Sequence, residues 1–158
     1  MTASDASLPD SGQWGGAGHG FRVRVYYEDT DAGGIVYHAN YLNFAERART
    51  EMLRLCGGEQ DEMRREDGLG FTVRRCEIDY RAPARLDDLL EVRTVLREVR
   101  GARVDAVQSI HRVGVGGTDP DWIVRLDLTL ACVKNNGRPT RLPEHVRAAF
   151  SALVISDQ

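Results

Sequence analysis

The chain has 158 residues, 42% of them hydrophobic and 28% charged, with a net charge of −3. That length supports one domain with a core of its own, so no disulfide or metal is needed to staple it. The small acidic excess excludes a general nucleic-acid binder, which shows a basic face or stripe. Arginine outnumbers lysine twenty to one, but the arginines are scattered along the chain rather than grouped into a patch. Cys56, Cys76 and Cys132 form no CxxC and have no neighbouring histidine. They make neither a disulfide framework nor a zinc site, and they fit a reducing compartment. No apolar run has the length of a membrane span, and the first residues lack the basic start and apolar stretch of a signal peptide, so a cytoplasmic protein is expected.

Residues 1–20, rich in Ser, Asp and Gly, read as a disordered tail. Its glycines neither follow a strand nor open a helix, so they are no nucleotide fingerprint. A single domain is expected over 21–155. Phe21, Val23, Val25 and Tyr27 alternate with Arg22, Arg24 and Tyr26, the pattern of a half-buried strand with Tyr27 pointing inward. Three acids follow (Glu28, Asp29, Asp31), then Gly33, Gly34 and His38. Tyr41, Phe44, Ala45, Ala48 and Met52 then recur at helical spacing, with Glu46, Arg47, Arg49 and Glu51 between them. Asn40 is the predicted N-cap of that helix, and Gly57-Gly58 its stop. Leu42, Leu53 and Leu55 lie off the main stripe, which predicts burial of the helix on more than one side. Glu59–Glu66 reads as a short polar helix.

From Leu69 the period becomes two. Strands are predicted from Leu69 to Arg81, Leu89 to Val99, Arg103 to Val113 and Trp122 to Asn135, with a hairpin at Arg100-Gly101 and a glycine-rich loop over Gly114–Pro120. Leu90, Val92, Thr94 and Leu96 share one face, and Cys132 reads as a core residue. Glu144–Leu153 is a short amphipathic helix after Pro143. Strand, helix and four strands with short turns make an antiparallel α+β domain, whose one long helix the sheet must cover.

The acidic loop admits three readings. Its composition suits a solvated turn. Asp29, Asp31 and Gly34 match positions 1, 3 and 6 of a calcium loop, but Gly33 at position 5 and Asn40 at position 12 do not. The third reading is a carboxylate beside a helix N-terminus, whose free N–H groups can polarise a carbonyl and stabilise an oxyanion. No GxSxG is present, and Ser109, Ser151 and Ser156 lie near no motif.

The run VRVYYEDTDAGGIVYHANYLNFAERARTEML resembles the signature of the 4-hydroxybenzoyl-CoA thioesterase family of hotdog-fold enzymes, and most of all its YbgC-type acyl-CoA thioesterases associated with the Tol–Pal system. The segment DYRAPARLDDLLEVRT, Asp79 to Thr94, is similar to the same subfamily, so the resemblance spans roughly Phe21 to Phe150. It implies a hotdog fold, a five-stranded antiparallel sheet wrapped around one long central helix. It implies hydrolysis of acyl-CoA thioesters, or of acyl-carrier-protein thioesters, with Asp31 as nucleophile or as general base toward water. The backbone N–H near His38 would face the thioester oxygen, the His38 side chain would assist proton transfer, and Tyr27 would support the site. No cofactor is implied, coenzyme A being part of the substrate. Arg81, Arg85, Lys134 and Arg138 are candidates for its phosphates. The resemblance further implies a homodimer or homotetramer, with peripheral association with inner-membrane proteins as a further expectation. The rival is a non-catalytic acyl-thioester-binding or scaffolding protein of the same fold, linked to phospholipid synthesis or the cell envelope.

Overall fold

A computed structural model describes residues 10–57 and 60–155; the expectations for residues 1–9, Gly58 and Glu59 fall outside them. Six strands form one antiparallel sheet in the order β1-β2-β4-β5-β6-β3: β1 (Gln13–Gly15), β2 (Gly18–Arg24), β3 (Leu69–Tyr80), β4 (Leu89–Arg100), β5 (Arg103–Gly114) and β6 (Gly117–Lys134). The long helix α1 (Asn40–Leu55) packs on the inner faces of β2 and β4. A single turn α2 (Gln60–Glu62) runs into a π-helical turn over Met63–Asp67, and α3 (Glu144–Leu153) closes the far end.

The extra strand corrects the expected five-stranded sheet and the expected tail. Gln13–Gly15 pairs with Gly18–Gly20, and Ser11 Oγ donates to Glu51 of α1 at 2.6 Å. Composition hid this strand because the hairpin it makes is held in place by distant groups, the β4 edge that pairs with β2 and Glu51 of α1. His19 is fully buried with Nε2 against Ser11 O at 2.8 Å, and Trp14 meets its ring edge-on. The expected Gly114–Pro120 loop is also corrected. Only Val115 and Gly116 separate β5 from β6, so the glycines make a tight hairpin and the strands extend up to it.

Alternation along β4 and β5 buries Leu90, Val92, Leu96, Val104 and Ile110 against α1 and the remaining core. Cys132 is buried among them as expected. The breadth of the helix's apolar surface is only partly used: Leu53 is buried, whereas Leu42 and Leu55 stay exposed. Gly57, in the left-handed region at φ 77°, ends α1 as its sequence predicts. The hydrophobic interior forms two clusters, one under each half of α1.

Candidate active site

The loop between β2 and α1 is built by three ties. Val25 leaves the sheet's regular pairing and exchanges backbone bonds with Asp87 and Asp88. Tyr27–Asp29 then makes one 3-10 turn. Thr30 and Val36 bridge, so that Asp31–Gly34 forms a tight turn with Asp31 N–H donating to Ile35 O and Gly34 N–H to Asp31 O. Gly34 takes φ 79°, which a side chain would strain.

That path corrects the reading of Tyr27. Because the strand ends at Arg24 and the chain turns, Tyr27 does not continue the inward face; it is 83% exposed. Asn40 is likewise not the N-cap. Ala39 caps, and Asn40 is the first helical residue. Its side chain instead donates from Nδ2 to Asp29 Oδ1 at 2.6 Å, while the other Asp29 oxygen accepts the Tyr26 N–H at 2.7 Å. Asp29 is 5% exposed. A buried carboxylate thus ties the 3-10 turn to the start of α1, and with both oxygens committed it is no calcium ligand. Among the described residues, no group of His, Cys, Asp and Glu is arranged to hold a metal.

Asp31 is exposed at the turn. Its Oδ1 accepts the Gly33 N–H at 2.8 Å, which fixes the carboxylate while Oδ2 stays open. It faces a depression of about 520 Å³ shared with Tyr27, Thr30 and Leu86. His38 faces a second one, of about 310 Å³, with Tyr41, Tyr80, Arg81 and Pro83. The Ile35–Arg85 bridge stands between the two, with Gly34 and Leu86 on one side and Val36 and Pro83 on the other. Asp31 and Tyr27 therefore line one depression and His38 the other, on the two sides of that bridge.

The second depression holds residues that sequence reasoning missed. Tyr80 donates its hydroxyl to His38 O at 2.8 Å, and its ring stands edge-on to His38 and Tyr41. The Tyr41 hydroxyl accepts the Ala84 N–H at 3.0 Å, and burial pushes its pKa up, so it stays protonated. At the helix start, Tyr37 N–H donates to Asp29 O and Asn40 N–H to Tyr37 O, which leaves the N–H groups of His38 and Ala39 without acceptors among the described residues. Their position after an Asp seven residues upstream was legible; Tyr80 and Tyr41 converge on them only through tertiary packing. The four candidate phosphate ligands separate. Arg81 lines the His38 depression and stacks on Trp122 at 3.9 Å, and Arg85 borders the loop. Lys134 pairs with Leu69, at the other end of β3 from Tyr80, roughly 35 Å away along the strand. Arg138 sits beside Lys134 in the same turn. The three thiols are raised in pKa by burial, which disfavours a cysteine nucleophile.

This strand–turn–helix arrangement meets its match in known proteins: the thioesterase-like superfamily model covers residues 25–150. The chain belongs to the thioesterase-like superfamily. It is 44% identical to the acyl-CoA thioesterase YbgC of Haemophilus influenzae, over 86% of this chain and 96% of that protein. It is 43% identical to the acyl-CoA thioester hydrolase YbgC of Escherichia coli O157:H7, over 81% and 92% respectively. Among solved structures, a probable thioesterase from Bartonella henselae superposes with a TM-score of 0.72 at 38% identity, covering 79% of this chain and 98% of that one. The fold is the hotdog that the resemblance implies, with a sixth strand added at the β2 edge. Residues 10–24, which carry β1 and β2, lie before the matched region. No helix among the described residues is long and apolar enough to cross a membrane.

Proposed function

We propose that this thioesterase-superfamily protein hydrolyses acyl-coenzyme A thioesters to a carboxylic acid and free coenzyme A, with Asp31 as its catalytic carboxylate. Supporting the reading are an anchored carboxylate with one oxygen open and, in the neighbouring depression across the Ile35–Arg85 bridge, helix-start amides that have no acceptor among the described residues. In the general-base route, Asp31 Oδ2 takes a proton from water as the water oxygen bonds to the thioester carbon. The carbonyl oxygen gains negative charge opposite the His38 and Ala39 N–H groups, where the helix dipole favours it. Collapse breaks the C–S bond, and the thiolate leaves and takes up the proton. In the nucleophilic route, an Asp31 oxygen bonds to that carbon and the C–S bond breaks, releasing the thiolate; water then cleaves the mixed anhydride, freeing the acid and the Asp31 carboxylate, and the proton released goes to the thiolate. The same position serves both.

His38 and Tyr27 act at the margin of this chemistry, His38 through its backbone N–H. Exposed Tyr27 and Leu86 line the first depression and exposed Tyr80 the second, an apolar rim that a second copy would cover, in keeping with a homodimer or homotetramer. Of the four candidate cations, this reading assigns a coenzyme A phosphate to Arg81, because it lines the His38 depression.

The test is thiol release from acyl-CoAs of graded length. Asp31→Asn should lower kcat by at least about a hundredfold with a smaller change in KM. An Asp31→Asn rate within twofold of wild type would sink the carboxylate mechanism. Binding of acyl-CoA without turnover of either CoA or carrier-protein thioesters by the wild type would favour the scaffolding protein instead.

A further inference from the structure

The space beneath α1 is divided by polar groups. Tyr41, Phe44 and Ala45 pack into the cluster under its N-terminal half, and Met52 and Leu53 into the cluster under its C-terminal half. Between them Arg49 is 9% exposed. Its Nη1 donates to Gln108 Oε1 of β5 at 2.8 Å, and its Nη2 pairs with Glu46. Gln108 Nε2 in turn donates to Ala45 O and to Thr94 Oγ1 of β4, both at 3.0 Å. A guanidinium held this way cannot swing aside without leaving buried polar groups unpaired.

Beside this belt runs a seam. β3 is an edge strand, and it follows α1 in the opposite sense. Tyr80 meets Tyr41 with ring centroids 5.9 Å apart, Cys76 lies within electrostatic reach of Arg49, and Phe71 lines a slot with Leu53 and Phe150. Cys76 and Ile78 are half-buried and Val73 is 43% exposed, so β3 presents a partly open apolar rail. It starts at the His38 depression. The slot beyond Arg49 is the tightest of these depressions, with a volume of about 40 Å³ against about 310 Å³ at His38.

We propose that the α1–β3 seam takes the acyl chain of the substrate and that Arg49, fixed by Gln108 and Glu46, is the stop that limits its length. The inference rests on the acyl-CoA reading above. Seven steps of helical rise from Ala39 to Glu46 span about 10 Å. An extended alkyl chain advances roughly 1.25 Å per carbon. Acyl groups of about eight carbons therefore reach the pair, and longer ones must drive methylenes against the buried Arg49 guanidinium, held by Gln108 and by half-exposed Glu46. Arg49 is thus a specificity-determining residue that does not take part in the chemistry.

The experiment measures kcat/KM for saturated acyl-CoAs from two to sixteen carbons. Wild type should gain up to about fourfold per carbon as methylenes are buried, then level or fall beyond about ten. The double variant Arg49→Met/Gln108→Leu replaces both partners with apolar groups and should raise the ratio of the twelve- to the eight-carbon rate at least tenfold. Adding Leu53→Trp, which fills the slot, should reverse that gain. Should the double variant not fold, Ile78→Trp narrows the seam ahead of Arg49 and should lower the eight- to four-carbon ratio at least tenfold. A wild-type profile that climbs steadily to sixteen carbons, or a folded double variant (or Ile78→Trp) with the wild-type profile, would overturn the proposal. If the wild type hydrolyses no acyl-CoA, the same ratios are read as calorimetric affinities for non-hydrolysable acyl-CoA thioethers. Failure of the enzymatic reading is thereby kept apart from failure of the length stop.

Discussion

Replacing Asp29 by asparagine tests whether one buried carboxylate holds the loop to the helix. The side chain is 5% exposed and faces two donors, the Tyr26 N–H at 2.7 Å and Asn40 Nδ2 at 2.6 Å. The orientation of Asn40 is set by its neighbour, because Asn43 Nδ2 donates to Asn40 Oδ1 at 2.7 Å. An asparagine at 29 offers one oxygen and one NH2 group to two donors, so one bond is lost and a donor–donor contact is created. Losing a hydrogen bond to a charged acceptor costs about 1.5–3 kcal/mol. In a domain of this size that is a fall in Tm of roughly 5–10 °C. Activity should fall as well, by about tenfold or more, because a small shift between Asp31 and the helix-start amides misplaces the reacting groups. The assay is a thermal melt followed by circular dichroism, with acyl-CoA kinetics at 25 °C where the variant stays folded. A cycle with Asp29→Ala, Asn40→Ala and the pair should show a coupling of about 1–2 kcal/mol. A Tm within 2 °C of wild type, or effects that simply add, would refute the tie.

Two more expectations follow from buried groups elsewhere. Burial lowers the pKa of His19 and of His111 below 6.5, so below that pH the unfolded chain binds protons that the folded one refuses. Stability from these residues is therefore complete above about pH 7 and declines as pH falls below 6.5 toward the folded-state values. Urea unfolding at pH 7.5, 6.5 and 5.5 should show this, and His19→Gln should flatten the decline; an unchanged slope would exclude His19 as a contributor. Gly18 takes φ 95°, and a Cβ there would lie 2.3 Å from Thr94 O. Gly18→Ala should cost about 2 kcal/mol or more and loosen the β1–β2 hairpin, read as loss of unfolding free energy and a change in Trp14 fluorescence; wild-type stability would show that the hairpin contributes nothing.

Local periodicity alone revealed most of the architecture of this protein. The alternation in β4, β5 and β6 and the helical spacing from Tyr41 to Met52 depend on near neighbours in the chain, as do the turns at Gly101 and Gly137. The run from Tyr26 to Tyr41 likewise marked Asp31 and the helix start, because a carboxylate, a glycine turn and a helix origin follow one another directly. Tertiary structure decided the rest. Arg49 sits among Glu46, Arg47 and Glu51, so the pattern counts it as solvent-facing, yet it is buried because Gln108, 59 residues on, supplies its acceptor. Asp29 looks like one loop acid among three until Asn40 and Tyr26 converge on it. Tyr27 follows a strand pattern that ends because Val25 pairs with Asp87 and Asp88. The hairpin of residues 13–20 forms because β4 offers an edge and α1 offers Glu51. For Arg49, Tyr27 and the hairpin the deciding partner lies 40 or more residues off in sequence, and for Asp29 it is the chain's turn that brings near neighbours onto one carboxylate; periodicity carries neither kind of information.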